Sequence, residues 1–142
     1  MMRGVAIRVV YFDADIYELR ITATNGDFSG SVCLYVAIGQ LGELADELSG
    51  FPRTSTDERE IELGTFERGY AGGGVRASFR CIDGAGHIQM RVRTETDHNQ
   101  DAPAQSVMLF LPIEPASIDK FVEELHALED SRTGEAALCS HN

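Results

Sequence analysis

An α+β fold is what this sequence predicts: a mostly antiparallel sheet of about seven strands in the order βββα-ββββα, with two amphipathic helices packed on it. Three observations carry the prediction. Apolar residues alternate with other residues in a series of short runs, turn signals join most of those runs, and a helical period replaces the alternation in just two places.

The elements follow in order. Val5, Ile7, Val9 and Tyr11 alternate, as do Tyr17, Leu19, Ile21 and Ala23, and Asn25-Gly26 supplies a tight hairpin turn. FSGSVCLYV is a third strand, apolar on both faces towards its end, which points to a central position or to cover by a helix. From Ile38 the period changes: Ile38, Leu41, Leu44, Ala45 and Leu48 share one helical face, and Ser49-Gly50 followed by Pro52 ends the helix. EREIEL alternates again, with Ile61 and Leu63 inward and Glu58, Glu60 and Glu62 outward. Val75, Ala77, Phe79 and Cys81, then Ile88, Met90 and Val92, are the apolar faces of a hairpin turned by Gly84-Ala85-Gly86. SVMLFLPI is the last strand, and Pro112 marks either a sheet edge or the strand's end. Glu114-Pro115 opens a second helix with Ile118, Phe121, Val122, Leu125 and Leu128 inward and Asp119, Glu123, Glu124 and Glu129 on the wet side. Residues 1–129 are thus expected to form one domain, and 130–142, without a sustained period, a flexible C-terminal tail.

Composition narrows the function classes. A chain of 142 residues buries about two-thirds of its unfolded surface, enough for a core without disulfides or metal. Its formal charge of −11 opposes binding to nucleic acid and to anionic membranes and favours encounter with a basic partner. Cys33, Cys81 and Cys139 fit neither a disulfide framework nor a metal-binding pair, and the first two fall in strand runs where a buried thiol is expected. The N-terminal apolar run is too short and too interrupted for a signal peptide or a membrane span, so a cytoplasmic location is expected.

The chemistry-bearing stretch is AGGGVRASFRCIDGAGH, from Ala71 to His87. A phosphate cradle needs backbone N–H groups at a helix start, whereas Gly72-Gly73-Gly74 runs into a strand with no Lys following; backbone packing accounts for the triplet. Cys81 lies on the apolar face and His87 on the polar one, so they do not converge with Asp83 on a metal, and no metal or cofactor is expected. Asp13, Asp15 and Glu18 lack the glycine and distal Glu of a calcium loop. No GxSxG occurs, and His87, His98, His126 and His141 are scattered over a hairpin, a loop, a helix and the tail, so no catalytic residue is assigned.

One charge pattern is informative. Arg76, Arg80, Arg91 and Arg93 project from the same polar face of the hairpin, together with His87. They form either an intramolecular salt-bridge face against Glu58, Glu60 and Glu62, or a docking face for an acidic ligand or partner.

The segments YELRITATNGDFSGSVCLYVAIGQLGELADELSGFP and VRASFRCIDGAGHIQMRV, closed by a strand and PASIDKFVEELHAL, resemble the small bacterial WapI-type immunity proteins and their relatives across about residues 15 to 128. The resemblance lies in the order of elements, and the tryptophans of the immunity branch are missing. It implies a non-catalytic protein that binds and blocks a co-encoded toxin. Many such toxins present basic clefts, which makes the acidic helix residues Glu43, Asp46, Glu47, Asp119, Glu123 and Glu124 the expected partner contacts. Two other readings stay open: a small ligand-binding domain or enzyme with its site near the 69–76 glycine loop and the Arg76/Arg80/Arg91/Arg93 face, and an oligomeric structural protein. The expected assembly is a monomer or a homodimer.

Overall fold

Alternation in the N-terminal third closes into hairpins. In the computed structural model, which describes residues 2–98 and 102–140, β1 (Gly4–Phe12), β2 (Ile16–Thr24) and β3 (Ser29–Ala37) pair antiparallel in succession. Asp13 Oδ1 accepts from the backbone N–H groups of Asp15 at 2.8 Å and Ile16 at 3.0 Å. Those two bonds hold its carboxyl below the usual carboxylate range, and they make the first connection an Asx turn. Asn25 Oδ1 does the same for Asp27 and Phe28 in the second.

α1 (Gln40–Leu48) buries Leu41, Leu44, Ala45 and Leu48, and Gly50 beyond it takes φ 75°, the left-handed conformation expected there. β4 (Glu58–Gly64), β5 (Gly74–Cys81), β6 (Ile88–Glu95) and β7 (Ser106–Ile113) form an antiparallel meander. Pro112 lies on β7, an edge strand, where its missing N–H costs no ladder bond. α2 (Pro115–Ser131) begins with proline in its first turn and buries Ile118, Phe121, Leu125 and Leu128.

The broad α+β class holds, but the strands do not make one sheet of about seven. They make two four-stranded sheets, β3-β2-β1-β8 and β4-β5-β6-β7. Two short helices cannot cover one face of a wide single sheet; stacking two sheets lets each inner face cover the other. Val5, Ile7 and Ile21 of the first sheet meet Ile61, Val75 and Met90 of the second, with Leu44 of α1 and Phe121 of α2, around a void of about 20 Å³. Each such fully buried side chain contributes roughly 1.5–3 kcal/mol.

Three further expectations are corrected. The segment after α2 is not a tail throughout, because Glu135–Cys139 forms β8 and pairs with Gly4–Arg8 of β1. Its buried Ala136 and Leu138 are too few to register as a period, yet they supply the face that packs. β3 is an edge strand, with Val32, Leu34 and Val36 buried and Cys33 and Tyr35 exposed on the outward parity. Cys139 is exposed and Cys81 half-buried, so the buried-thiol expectation fails for Cys33 and holds only in part for Cys81.

Candidate functional site

Strand register builds the outer face of the second sheet. Glu62, Arg76 and Arg93 stand side by side on β4, β5 and β6; Glu60, Ser78 and Arg91 form the next row, and Glu58, Arg80 and Gln89 the third. Across from β6, Met108 faces Arg93 and Phe110 faces Arg91 on β7. Acidic, basic and apolar stripes therefore run in parallel across one sheet surface. An open groove of about 560 Å³ crosses it, between Glu58 and Glu60 on one side and Arg91 and Phe110 on the other.

The four arginines divide into two pairs. Arg76 donates from Nε and Nη2 to Glu62 Oε2, both at 3.1 Å, and has Glu60 at 3.8 Å. Arg93 bonds Glu95 through Nη2, and the two guanidinium carbons lie 4.8 and 4.9 Å from the centroid of the Phe66 ring. This half is a salt-bridge and cation–π lattice. Among the described residues Arg80 has only the neutral Oε1 of Gln89, at 3.3 Å from Nε and 3.1 Å from Nη2. Arg91 is exposed and makes no ion pair among the described residues.

Glu95 anchors the lattice from below. It is buried, and burial works against its charge, but hydrogen bonds from His98 and Arg93 outweigh that and hold its carboxyl below the usual range. His98 Nε2 lies 2.7 Å from Glu95 Oε2, so this loop histidine is bound to the domain.

The glycine triplet is packing. Gly72 (φ 88°) donates its N–H to Asp97 Oδ2 at 2.8 Å, and Gly73 donates to Cys33 O at 2.9 Å. Both donors that a phosphate would need at these two positions are already spent. Asp83 Oδ1 accepts from the Ala85 N–H at 2.8 Å, while Oδ2 holds His87 Nδ1 at 2.5 Å. That side-chain bond raises the His87 pKa and lowers that of Asp83. His87 thus belongs to the β5–β6 turn and does not line the groove. No cluster of metal-ligating side chains occurs among the described residues.

The acidic residues of the helices also separate. α1 and α2 run side by side, with Gly42 facing Glu129 and Asp46 Oδ1 3.5 Å from His126 Nε2. Glu43, Asp46 and Glu47 on α1 are exposed, as are Asp119 and Glu123, which share the His126 face of α2. Glu124 leaves this set: it is half-buried, and its Oε1 accepts the Ala137 N–H at 2.9 Å on the open side of β8. Glu129, expected on the wet side, is half-buried too. It accepts the Gly42 N–H at 3.1 Å and the Tyr17 hydroxyl at 2.8 Å, capping a helix whose Gly39 brings no side-chain oxygen. Tyr17, fully buried, also donates to the Glu129 carbonyl at 2.9 Å. Burial first, and then the neighbouring carboxylate, raise its phenol pKa.

Sequence reasoning passed over Phe110, 50% exposed, and Met108, 55% exposed. Their signal was present: both occupy the outward parity of SVMLFLPI, where a solvated strand would carry polar residues. His141 lies outside the described residues. No helix among the described residues is long and apolar enough to cross a membrane. Comparison with protein-family models, curated proteins and solved structures finds no match to this chain.

Proposed function

We propose that this is a non-catalytic binding protein that recognises a basic protein partner through the joined faces of α1 and α2, in the manner of an immunity protein that masks a toxin. The observation that carries the reading is the Asp46–His126 contact, which sets Glu43, Asp46 and Glu47 beside Asp119 and Glu123 as one exposed anionic surface. On a chain of formal charge −11 this surface speeds encounter with a cationic cleft and opposes nucleic acid. The resemblance in element order to WapI-type immunity proteins supports the same reading, and a cytoplasmic site of action fits it.

The test is an affinity pull-down from the source cell at low and raised salt, with the Glu43→Lys/Asp46→Lys/Glu47→Lys triple variant as control. A basic protein that elutes with salt and is not retained by the variant supports the proposal. A partner held equally by the variant, or a bound metabolite in place of a protein, overturns it.

A further inference from the structure

The outer face of the second sheet is separate from the helix surface and carries an arginine stripe beside an apolar one. We infer that it is a second docking site, centred on Arg80, Arg91 and Phe110, for a partner segment that carries carboxylates beside an apolar or aromatic side chain.

Charge supplies the first half of the site. Among the described residues, ion pairs tie down three arginines. Arg59 takes Asp57, Arg76 takes Glu62, and Arg93 takes Glu95. Arg80 and Arg91 take none among the described residues, although Glu58 stands directly opposite Arg80 in register. The two are diagonal neighbours on adjacent strands, about 7–8 Å apart at the backbone, close enough for one carboxylate-bearing segment to engage both. Arg80 is already oriented by Gln89, which fixes two of its N–H groups and leaves Nη1 to donate outward.

Apolar surface adds the second half. Phe110 faces Arg91 across the strand pair and Met108 faces Arg93, both about half exposed on a rigid sheet. Arginine and aromatic side chains are enriched at the energetic centres of protein interfaces, where each contributes large contact area. The groove of about 560 Å³ between the arginines and the β4 glutamates accommodates a few side chains. Glu58 and Glu60 on its far wall repel a purely anionic ligand laid flat across the face, which selects a segment with its carboxylates towards β6 and its apolar group over β7.

Fluorescence anisotropy with a labelled acidic peptide built from Glu, Asp, Phe and Leu tests this. Binding at low salt that weakens with added salt, falls at least about tenfold in Arg91→Glu, and falls in Phe110→Ala with the salt dependence retained supports the site. Both substituted residues are exposed, so thermal melts should match the parent and separate docking from folding. The Glu43→Lys/Asp46→Lys/Glu47→Lys variant should bind the peptide as well as the parent does, which keeps this site distinct from the helix surface. Four results overturn the inference: no binding of the acidic peptide, binding indifferent to Arg91→Glu, tighter binding of single-stranded oligothymidylate, or self-association abolished by Arg91→Glu. The last would make the occupant a second copy of the chain.

Discussion

Gly73→Ala should be among the most damaging single methyl additions in this fold. A Cβ at Gly73 would lie 2.2 Å from Val32 Cγ2 and 2.3 Å from the Glu95 carbonyl oxygen. Val32 could rotate; the Glu95 carbonyl cannot, because it is backbone at the end of β6. Relief therefore requires the loop to move away from β3, which lengthens the 2.9 Å bond from the Gly73 N–H to the Cys33 carbonyl. Overpacking costs roughly 1–3 kcal/mol and a lost buried hydrogen bond about 1 more, so a loss of about 2–4 kcal/mol is expected. Gly84→Ala is the control, since nothing lies within 4 Å of a Cβ there; it should stay within about 0.5 kcal/mol of the parent. Urea unfolding followed by circular dichroism measures both. A Gly73→Ala midpoint equal to that of Gly84→Ala would refute the wedge.

Three other outcomes follow from contacts described above. Tyr17→Phe and Glu129→Ala should each destabilise by about 1–2 kcal/mol and together by clearly less than the sum, because they break one shared bond; additivity within about 0.3 kcal/mol would disprove that link. Glu95 is depressed in the folded state, so its stabilisation is complete above the ordinary carboxylate value and is lost as pH falls through the lowered one. Glu95→Gln should accordingly flatten the acid limb of a stability–pH profile, and an unchanged acid limb would remove Glu95 from the account. Native protein treated with a thiol reagent should label Cys33 and Cys139 rapidly and Cys81, whose thiol reaches the Thr54 carbonyl at 3.8 Å, more slowly; mass spectrometry of the labelled peptides reads the order.

Local pattern carried the elements and stopped where pairing begins. The alternation of Val75, Ala77 and Phe79 against Arg76, Ser78 and Arg80 predicts which side chains share a face, and register then placed the four arginines together. Which arginines are neutralised was legible only in part: Glu62 takes Arg76 as the salt-bridge alternative has it, whereas Phe66 comes from the loop after β4 and the burial of Glu95 beside Arg93 depends on packing around the strand's end. The division into two sheets left no local mark either: β8 closes onto β1 at one end of the first sheet, and β3 is left as the other edge because β4 pairs with β5. Glu124 and Glu129 show the limit of a helical period. Both carboxylates fall outside the apolar stripe, yet one terminates a sheet edge and the other caps the neighbouring helix.

The pairing of β1 with β8 also bears on the order in which the chain acquires its structure. β1-β2-β3 and β4-β5-β6-β7 are both consecutive meanders whose hairpin contacts close short loops, whereas the β1–β8 pairing closes a long one. The edge of β1 that faces away from β2 must wait for residues near the other end of the sequence, and closing so long a loop adds entropic cost before that contact is gained. Until then its outer rim stays open to other chains. Ribosome-bound or C-terminally shortened forms should be the aggregating species, and a folding helper would act by shielding that one strand.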